Sequence, residues 1–403
     1  MSAVLESAVK EEMGISRRSW LGVLVIAFGA FAMVFAELLP VGLLPGISRD
    51  LRVQEGTAGM IVAITALFAF IAAPATALAV GRIDRRRVLI GLTLLTIVSS
   101  AISALAPNFT VLFAARVVLG IALGGFWTVS VPAAAKLLPA DKAHISSMVV
   151  MSGISIAAVL AVPAGSLIGA YFDWRVAFIA ATVIAVLALL LQLIYLPSIV
   201  MDEHVALKDL VAVLKSPRNA GAMLVLASAV AGQYAGYTFI APYLTQVTQV
   251  GTQLLSTLLF AYGLFGIAGN FLGGALAGRS RHGAVLGNMS VFLLSLIVLA
   301  AFGSHFWIAV ISLLIWAVVW GVVPVSTQLW IFGGASDKPE ALGAVLVAVF
   351  QAAISLGSFV GGLAVNGSSV RSAMWLGALI VALGIGMVLM VGQIDRRRSR
   401  VLA

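Results

Sequence analysis

The sequence predicts an all-α membrane protein with twelve transmembrane helices arranged as two six-helix bundles. Of its 403 residues, 62% are apolar and only 10% are charged, whereas soluble domains carry roughly 25% charged residues. The apolar residues fall into runs of about 20, the length that a helix needs to cross the hydrocarbon core of a bilayer. The longest polar interval, 197–219, leaves six such runs on either side.

Glycine, proline and charged residues mark the ends of the predicted spans. These spans are 20–44, 57–80, 88–106, 109–138, 145–170, 176–196, 220–243, 253–277, 284–303, 306–332, 341–365 and 369–391. The first run lacks the short apolar segment and cleavage site of a signal peptide, so we expect it to be retained. The predicted domains are a tail (1–19), an N-terminal bundle (20–196), a linker (197–219), a C-terminal bundle (220–391) and a second tail (392–403).

The distribution of basic residues predicts the orientation of the chain. With both termini in the cytoplasm, 19 of the 24 basic residues lie in cytoplasmic segments, four lie on the opposite side and one lies inside a span. Positive charge accumulates on the cytoplasmic side of membrane proteins, so we expect both tails and the linker to be cytoplasmic. The net charge of +9 then reflects topology and contact with anionic lipids, not nucleic-acid binding.

Several classes of function are disfavoured by the composition. The chain has no cysteine, which excludes disulfides and thiolate metal sites. No lysine follows a glycine, so a Walker A phosphate loop is absent and ATP-driven pumping by this chain is excluded. The four histidines, at 144, 204, 282 and 305, fall in loops or at span ends, which disfavours an enzyme. We expect no metal or organic cofactor.

Three pairs of landmarks recur at offsets close to half the chain length. They are Gly81-Arg82 with Gly278-Arg279 (197 residues), Pro40 with Pro242 (202) and Gly165-Ser166 with Gly357-Ser358 (192). Two similar six-span halves suit a transporter in which a central site opens alternately to either side. A channel is the weaker alternative, because pores normally carry rings of like polar residues.

Glu37 in span 1 and Arg116 in span 4 are the charged residues well inside the predicted spans. Both lie about 10 Å below the outer end of their helices at 1.5 Å per residue, so they could pair. Ionisable groups inside a membrane usually serve a function, which favours Glu37 as a proton carrier influenced by Arg116. A static ion pair that fixes helix packing, and a Glu37 solvated at the outer mouth, are the alternatives.

Uncharged aromatic and amide side chains recur inside the other spans. They are Gln233, Tyr234, Tyr237, Asn270, Trp316, Trp320, Gln328 and Gln351, together with Trp127 on the helical face of Arg116. Such a lining would suit a neutral cargo with a flat ring and hydroxyl groups, although helix packing explains each residue equally well. The candidate cavity contacts are Trp127, Gln233, Tyr237, Asn270, Trp320 and Gln328.

The loop after span 2, Gly81-Arg82-Ile83-Asp84-Arg85-Arg86-Arg87, concentrates four arginines around one aspartate. The arginines alone account for a signal that retains the loop in the cytoplasm. Asp84 could in addition cap a helix or pair with a neighbour such as Arg85, forming a latch that holds one conformation. The sequence leaves these two interpretations open.

Three motifs resemble the major facilitator superfamily, in particular its twelve-span drug:proton antiporter-1 branch. They are the run from Glu37 to Pro45, the run from Arg116 to Trp127, and Ala161-Val162-Pro163-Ala164-Gly165-Ser166. The resemblance implies a proton-driven exporter of the bacterial inner membrane with the major facilitator fold. It also implies proton coupling at Glu37 and Arg116, and a conformational role for Pro163 and Gly165. Its expected partners are a small solute, protons and lipids, and we expect a monomer.

Within that branch, three segments are most similar to bacterial purine-ribonucleoside efflux pumps. They are Glu37-Leu38-Leu39-Pro40-Val41, the run from Leu119 to Trp127, and Ala231-Gly232-Gln233. This similarity implies export of inosine, guanosine and related compounds, including toxic analogues, in exchange for protons. Export of sugars or of hydrophobic drugs remains the alternative. The loop after span 2 departs from the superfamily pattern, since Val80 stands where a glycine is usual.

Overall fold

The computed structural model describes residues 17–200, 212, 215–279, 281–332 and 339–402, and this part of the chain contains thirteen α-helices, one 3-10 turn and no strand. The prediction of an all-α protein is therefore confirmed. Most of the predicted N-terminal tail and residues 201–211 of the predicted linker lie outside the described residues. The boundary between the two predicted bundles consequently stays a prediction.

Among the described residues, six helices belong to the first half of the chain and seven belong to the second. The first six are α1 (Arg17–Asp50), α2 (Glu55–Ala79), α3 (Arg85–Ala104), α4 (Phe109–Leu137), α5 (Ala143–Tyr171) and α6 (Trp174–Tyr195), with the 3-10 turn at Ala140–Lys142. The others are α7 (Pro217–Tyr237), α8 (Ile240–Gln246), α9 (Thr252–Arg279), α10 (Arg281–Phe302), α11 (Phe306–Phe332), α12 (Pro339–Gly367) and α13 (Val370–Leu402).

Eleven of these helices are long and apolar enough to cross a membrane, and α7 with α8 forms a twelfth span bent by 44°. The bend falls inside the seventh predicted span, just before Pro242. Proline has no N–H and its ring clashes with the carbonyl four residues earlier, here that of Thr238. The backbone responds with a tighter turn, in which Phe239 N donates to Gly236 O at 3.1 Å.

Side-chain caps fix the starts of three helices in the first half. Asp84 accepts a hydrogen bond from Arg86 N at the start of α3, and Asn108 accepts one from Val111 N at the start of α4. Asp173 accepts from Arg175 N at the start of α6. Each cap satisfies a backbone N–H that has no partner within its helix.

Equivalent helices cross closely in the two halves, and glycine allows the approach. In the first half, α4 crosses α2, and a Cβ atom on Gly120 or Gly124 would overlap a backbone carbonyl of α2. In the second half, α9 crosses α11, and Gly269 and Gly321 face the partner backbone in the same way. Spans 2 and 4 thus correspond to spans 8 and 10, in agreement with the repeat that the sequence suggests.

The two halves touch each other near the loops that join α1 to α2 and α12 to α13, and we call this end of the molecule the closed end. The three hydrogen bonds between the halves among the described residues all lie toward it. They join Gln246 to Glu55 (2.6 Å), Asn366 to Thr57 (3.0 Å) and Ser256 to Ser166 (3.2 Å). Gly56 of α2 and Gly362 of α12 pack backbone against backbone beside them.

Candidate functional site

Arg116 of α4 and Glu37 of α1 lie next to each other. The sequence predicts the same depth in the membrane for both residues, which allows this contact. Arg116 is fully buried and Glu37 is 8% exposed. Arg116 Nη2 donates hydrogen bonds to Ala36 O at 2.9 Å and to Glu37 O at 3.2 Å. No ion pair within 4.0 Å joins the two side chains among the described residues, so the guanidinium is held by the backbone of α1.

Pro40 explains why the backbone of α1 accepts this hydrogen bond. In an α-helix the N–H of residue 40 would donate to Ala36 O, but proline has no N–H. Arg116 supplies the missing donor from the neighbouring helix. Its Nε and Nη1 atoms have no hydrogen-bond partner, so a positive charge with free donors is held beside the Glu37 carboxyl group.

Two side chains of the second half approach Glu37 from the other side. The Tyr234 phenol of α7 lies within electrostatic range of Glu37. The Gln351 side chain of α12 faces the same carboxyl group, but its buried Nε2 does not reach hydrogen-bonding geometry with any described group. Glu37 therefore lies where α1, α7 and α12 converge, at the boundary between the halves.

A cavity of about 180 Å³ lies beside this point and is lined by residues of α1, α5, α7, α9 and α11. Four of the six candidate cavity contacts line it, namely Gln233, Tyr237, Asn270 and Trp320. Tyr262 and Tyr234 line it as well. Tyr262 was missed because a single tyrosine in an apolar span gives no periodic or charge signal. No charged side chain belongs to the described lining.

An aromatic cluster around Gln233 forms one wall of the cavity. Gln233 Nε2 donates to Tyr262 Oη at 2.8 Å, and Trp316 Nε1 donates to Gln233 Oε1 at 2.6 Å. Tyr237 stacks on Tyr262 with ring centroids 4.9 Å apart. Since both ends of the Gln233 amide are occupied, this residue organises the wall.

The groups left for a ligand are the less buried ones. Trp320 and Tyr234 are half-buried and meet edge to face, with ring centroids 6.2 Å apart, and Asn270 is exposed. A flat ring can stack against the aromatic faces, while the Asn270 amide offers both a donor and an acceptor. The arrangement is chemically suited to an uncharged aromatic solute.

The other two candidate contacts lie elsewhere. Trp127 packs against two hydrophobic clusters, one confined to the first half and one that extends through both halves, and it lies outside the lining of this cavity. Gln328 is exposed on α11, eight residues beyond Trp320, which corresponds to about 12 Å along the helix. Helical spacing placed these residues on suitable faces but could not place them at the right depth, and their role in cargo binding stays a prediction.

Asp84 and Arg85 form contacts with the segment that follows α6. Asp84 Oδ1 accepts from Ile199 N at 2.8 Å, and Arg85 N donates to Ile199 O at 2.9 Å. Burial alone would raise the pKa of Asp84, but the hydrogen bonds from Ile199 and neighbouring groups outweigh it and hold the pKa below its usual value. In the described residues these contacts anchor the start of the linker to the first half.

Pro163 and Gly165 lie where α5 packs against the part of α1 that follows Glu37. A Cβ atom on Gly165 would approach Leu39 O to 2.6 Å, and a Cβ on Gly42 would overlap Val162 O. The helix α5 continues through Pro163. The two residues therefore set how closely α5 approaches the segment after Glu37, and their conformational role stays a prediction.

Comparison with known proteins identifies the family. The model of the Major Facilitator Superfamily matches residues 26–361. The purine ribonucleoside efflux pump NepI of Salmonella paratyphi B is 31% identical over 376 residues, which cover 92% of this chain and 95% of that protein. NepI of Escherichia coli is 31% identical over 369 residues, covering 92% and 93%.

Two solved structures share the fold. The human organic anion transporter MFSD10 (TETRAN) aligns with a TM-score of 0.68 at 17% identity, covering 92% of this chain and 99% of its own. A bacterial homologue of the human lysosomal transporter Spinster, in an inward-facing and unoccupied conformation, aligns with a TM-score of 0.72 at 13% identity, covering 93% and 97%. The chain is therefore a multi-pass membrane transporter that belongs to the Major Facilitator Superfamily.

Proposed function

We propose that this protein is a proton-coupled antiporter that exports purine ribonucleosides such as inosine and guanosine. The observation that carries the proposal is an uncharged cavity, walled by aromatic rings and an amide, beside a buried acid at the boundary between the halves. The purine specificity is supported by the efflux pumps named for purine ribonucleosides, which are about 31% identical along nearly the whole chain.

In the proposed mechanism Glu37 carries the exchanged proton and Arg116 supplies a fixed positive charge beside it. Because Arg116 is bound to the α1 backbone, the carboxyl group of Glu37 keeps its oxygens free for a proton. Alternating access exposes the site first to one side and then to the other. Proton release on one side and cargo release on the opposite side then complete the exchange.

The proposed orientation follows from the positive-inside rule. The basic loops and both termini face the cytoplasm of a bacterial inner membrane, and the closed end faces outward. Export then requires the contacts between Glu55 and Gln246 and between Thr57 and Asn366 to separate. In this proposal the protein works as a monomer without a cofactor, and its export of toxic purine analogues confers resistance to them.

Uptake of labelled inosine into inverted membrane vesicles tests the proposal, with and without an imposed proton gradient. We expect accumulation driven by the gradient in the wild type and its loss in Glu37→Gln. The matched control is Asp141→Asn, which neutralises an exposed acid in the 3-10 turn at 140–142 and should transport normally.

Two results would contradict the proposal. Undiminished gradient-driven uptake by Glu37→Gln would remove the proton role of this residue. No inosine uptake by the wild type, in vesicles that hold their gradient, would reject the cargo; a parallel screen with labelled sugars and lipophilic drugs would then identify which alternative applies.

A further inference from the structure

Pro324 lies inside α11 and lines the cavity, and the proposed proton exchange does not involve it. In an α-helix the N–H of residue 324 would donate to Trp320 O, but proline has no N–H. Among the described residues, no side chain and no N–H from outside α11 donates to that oxygen. The Trp320 carbonyl is therefore an acceptor without its helical donor.

This carbonyl oxygen lies on the side of α11 that borders the cavity. In an α-helix the carbonyl of one residue lies among the side-chain positions of that residue, the next residue and the residue four further along. For the Trp320 carbonyl these are Trp320, Gly321 and Pro324, and all three line the cavity. A molecule in the cavity can therefore reach the oxygen.

The site around Glu37 contains the same arrangement with its donor in place. Pro40 removes the helical donor of Ala36 O, and Arg116 Nη2 from the neighbouring helix supplies another at 2.9 Å. A carbonyl that stays unpaired inside a membrane protein is costly, which favours recruitment of a donor. Beside Trp320 O there is a cavity instead of an arginine, so the cargo itself can supply the donor.

Helix geometry fixes which part of the cargo meets this oxygen. Side chains lean toward the N-terminus of their helix, whereas carbonyl groups point toward its C-terminus. The Trp320 indole and the Trp320 oxygen therefore lie at successive levels of the cavity. Asn270 lies close to the second level, because a Cβ atom on Gly321 would be 2.9 Å from Asn270 N, and its side chain also lines the cavity.

We infer that Trp320 O, left without a helical donor by Pro324, accepts a hydrogen bond from a ribose hydroxyl of the cargo while the base lies against the Trp320 indole. The inference rests on the proposed function and adds the group that recognises the sugar. Two adjacent hydroxyls suit a carbonyl beside an amide, because one can donate to Trp320 O while the other exchanges hydrogen bonds with Asn270. The site then prefers ribonucleosides to analogues without these hydroxyls.

Equilibrium binding to the purified protein tests this inference without a proton gradient. Labelled inosine is displaced by unlabelled inosine or by 2′,3′-dideoxyinosine, which has the same base but lacks both hydroxyls. Wild type should bind the dideoxy compound at least tenfold more weakly. In Pro324→Ala this preference should fall about tenfold, as expected for one hydrogen bond, because alanine restores the N–H that occupies Trp320 O. The affinity for dideoxyinosine should not change.

Two controls separate the missing N–H from a change in helix shape. Pro132 is an exposed proline inside α4, the helix that corresponds to α11 in the first half, and it lies outside the described lining of the cavity. Pro132→Ala should keep the wild-type preference. Lactic acid in place of Pro324, introduced by nonsense suppression, has neither the proline ring nor an N–H, and it should also keep the preference.

The outcomes separate this inference from the proposed function. If wild type binds both compounds equally, or if Pro324→Ala keeps the full preference, the inference fails and the proposed cargo stands. If the lactic acid variant loses the preference as Pro324→Ala does, the proline ring is responsible and the inference also fails. If wild type binds no inosine, the proposed cargo and the inference fail together.

Discussion

Two buried polar clusters lie on either side of the boundary between the halves, and their donors are satisfied to very different degrees. In the second half, Gln233 donates to Tyr262 and accepts from Trp316, so the amide has a partner at both ends. In the first half, Arg116 binds the carbonyl of Ala36 through one nitrogen and leaves two nitrogens without partners. Both clusters are almost completely buried.

The difference distinguishes a rigid cavity wall from a site whose hydrogen bonds change during transport. A satisfied buried network is rigid, because every rearrangement would break a hydrogen bond in a low dielectric. Arg116 and Gln351 instead keep free donors around Glu37, and each free donor can gain a bond when a proton or a ligand arrives. This contrast predicts that substitutions in the cluster around Arg116 and Glu37 change transport, whereas substitutions in the cluster around Gln233 change stability.

The largest effect is expected for Arg116→Leu. This substitution removes the fixed charge beside Glu37 and leaves Ala36 O without its donor, so gradient-driven accumulation should fall about a hundredfold, at the lower end of losses seen for proton-transfer groups. Arg116→Lys keeps the charge but offers a shorter reach, and it should retain intermediate activity. Vesicle uptake normalised to the amount of folded protein checks both variants. Equal activity of Arg116→Leu and wild type would refute the site.

Gln233→Leu should destabilise the protein by about 2–4 kcal/mol, since it leaves the Tyr262 hydroxyl and the Trp316 indole N–H buried without partners. The matched change Gln351→Met should cost less than about 1 kcal/mol, because its lost donor was already unpaired. Thermal unfolding of the purified proteins in the same detergent compares them. A similar loss for both variants would contradict the contrast between the clusters.

Pro40→Ala tests the role of the α1 backbone. Alanine restores an N–H for Ala36 O and competes with Arg116 for that acceptor, so accumulation should fall about tenfold, equivalent to one lost hydrogen bond of about 1.4 kcal/mol. Thermal stability should not fall, since alanine favours a helix interior more than proline does. In a Pro40→Ala/Arg116→Leu double variant the two losses should not add; full additivity would show that the residues act separately.

The smallest effect is expected for Asp84→Asn. The Asp84 carboxylate lies outside the spans and already accepts hydrogen bonds from Arg86 N and Ile199 N. Asparagine caps a helix as well as aspartate does, so the loss should be a few tenths of a kcal/mol from the charge alone. The folded pKa of Asp84 lies below its usual value, so its contribution is present above the unfolded pKa and disappears as the pH falls through the folded pKa. Stabilities of the two proteins should therefore differ at pH 7 and converge once the pH falls below the folded pKa of Asp84; a gap that persists below it would contradict this account.

Much of the fold could be predicted because the bilayer imposes length and polarity on every span. The predicted spans agree with the helices to within a few residues at most ends. The last helix continues to Leu402, beyond the predicted end at 391, and the seventh span bends ahead of Pro242. Glu37 and Arg116 stood out because ionised groups inside a membrane are rare and costly. Four of the six candidate cavity contacts line the cavity, since uncharged polar groups in spans gather where the helices face each other.

The remaining differences between sequence and structure concern depth and partners. Trp127 and Gln328 have the side-chain chemistry of a cavity lining but lie outside the cavity. The contact of Arg116 with Ala36 O could have been suspected from Pro40, which leaves that carbonyl unpaired, although the sequence does not say which neighbouring helix supplies the donor.

The sequence by itself determined the class of protein, the number of spans within one and the two charged residues at the candidate site. These follow from composition and from the free energy of placing polar groups in a bilayer, which act on each segment separately. Only the tertiary structure decided that Arg116 binds backbone while Gln351 faces Glu37, and that the halves meet at one end. Such contacts join residues of distant helices, and they depend on how glycine and proline set helix crossings that no single segment encodes.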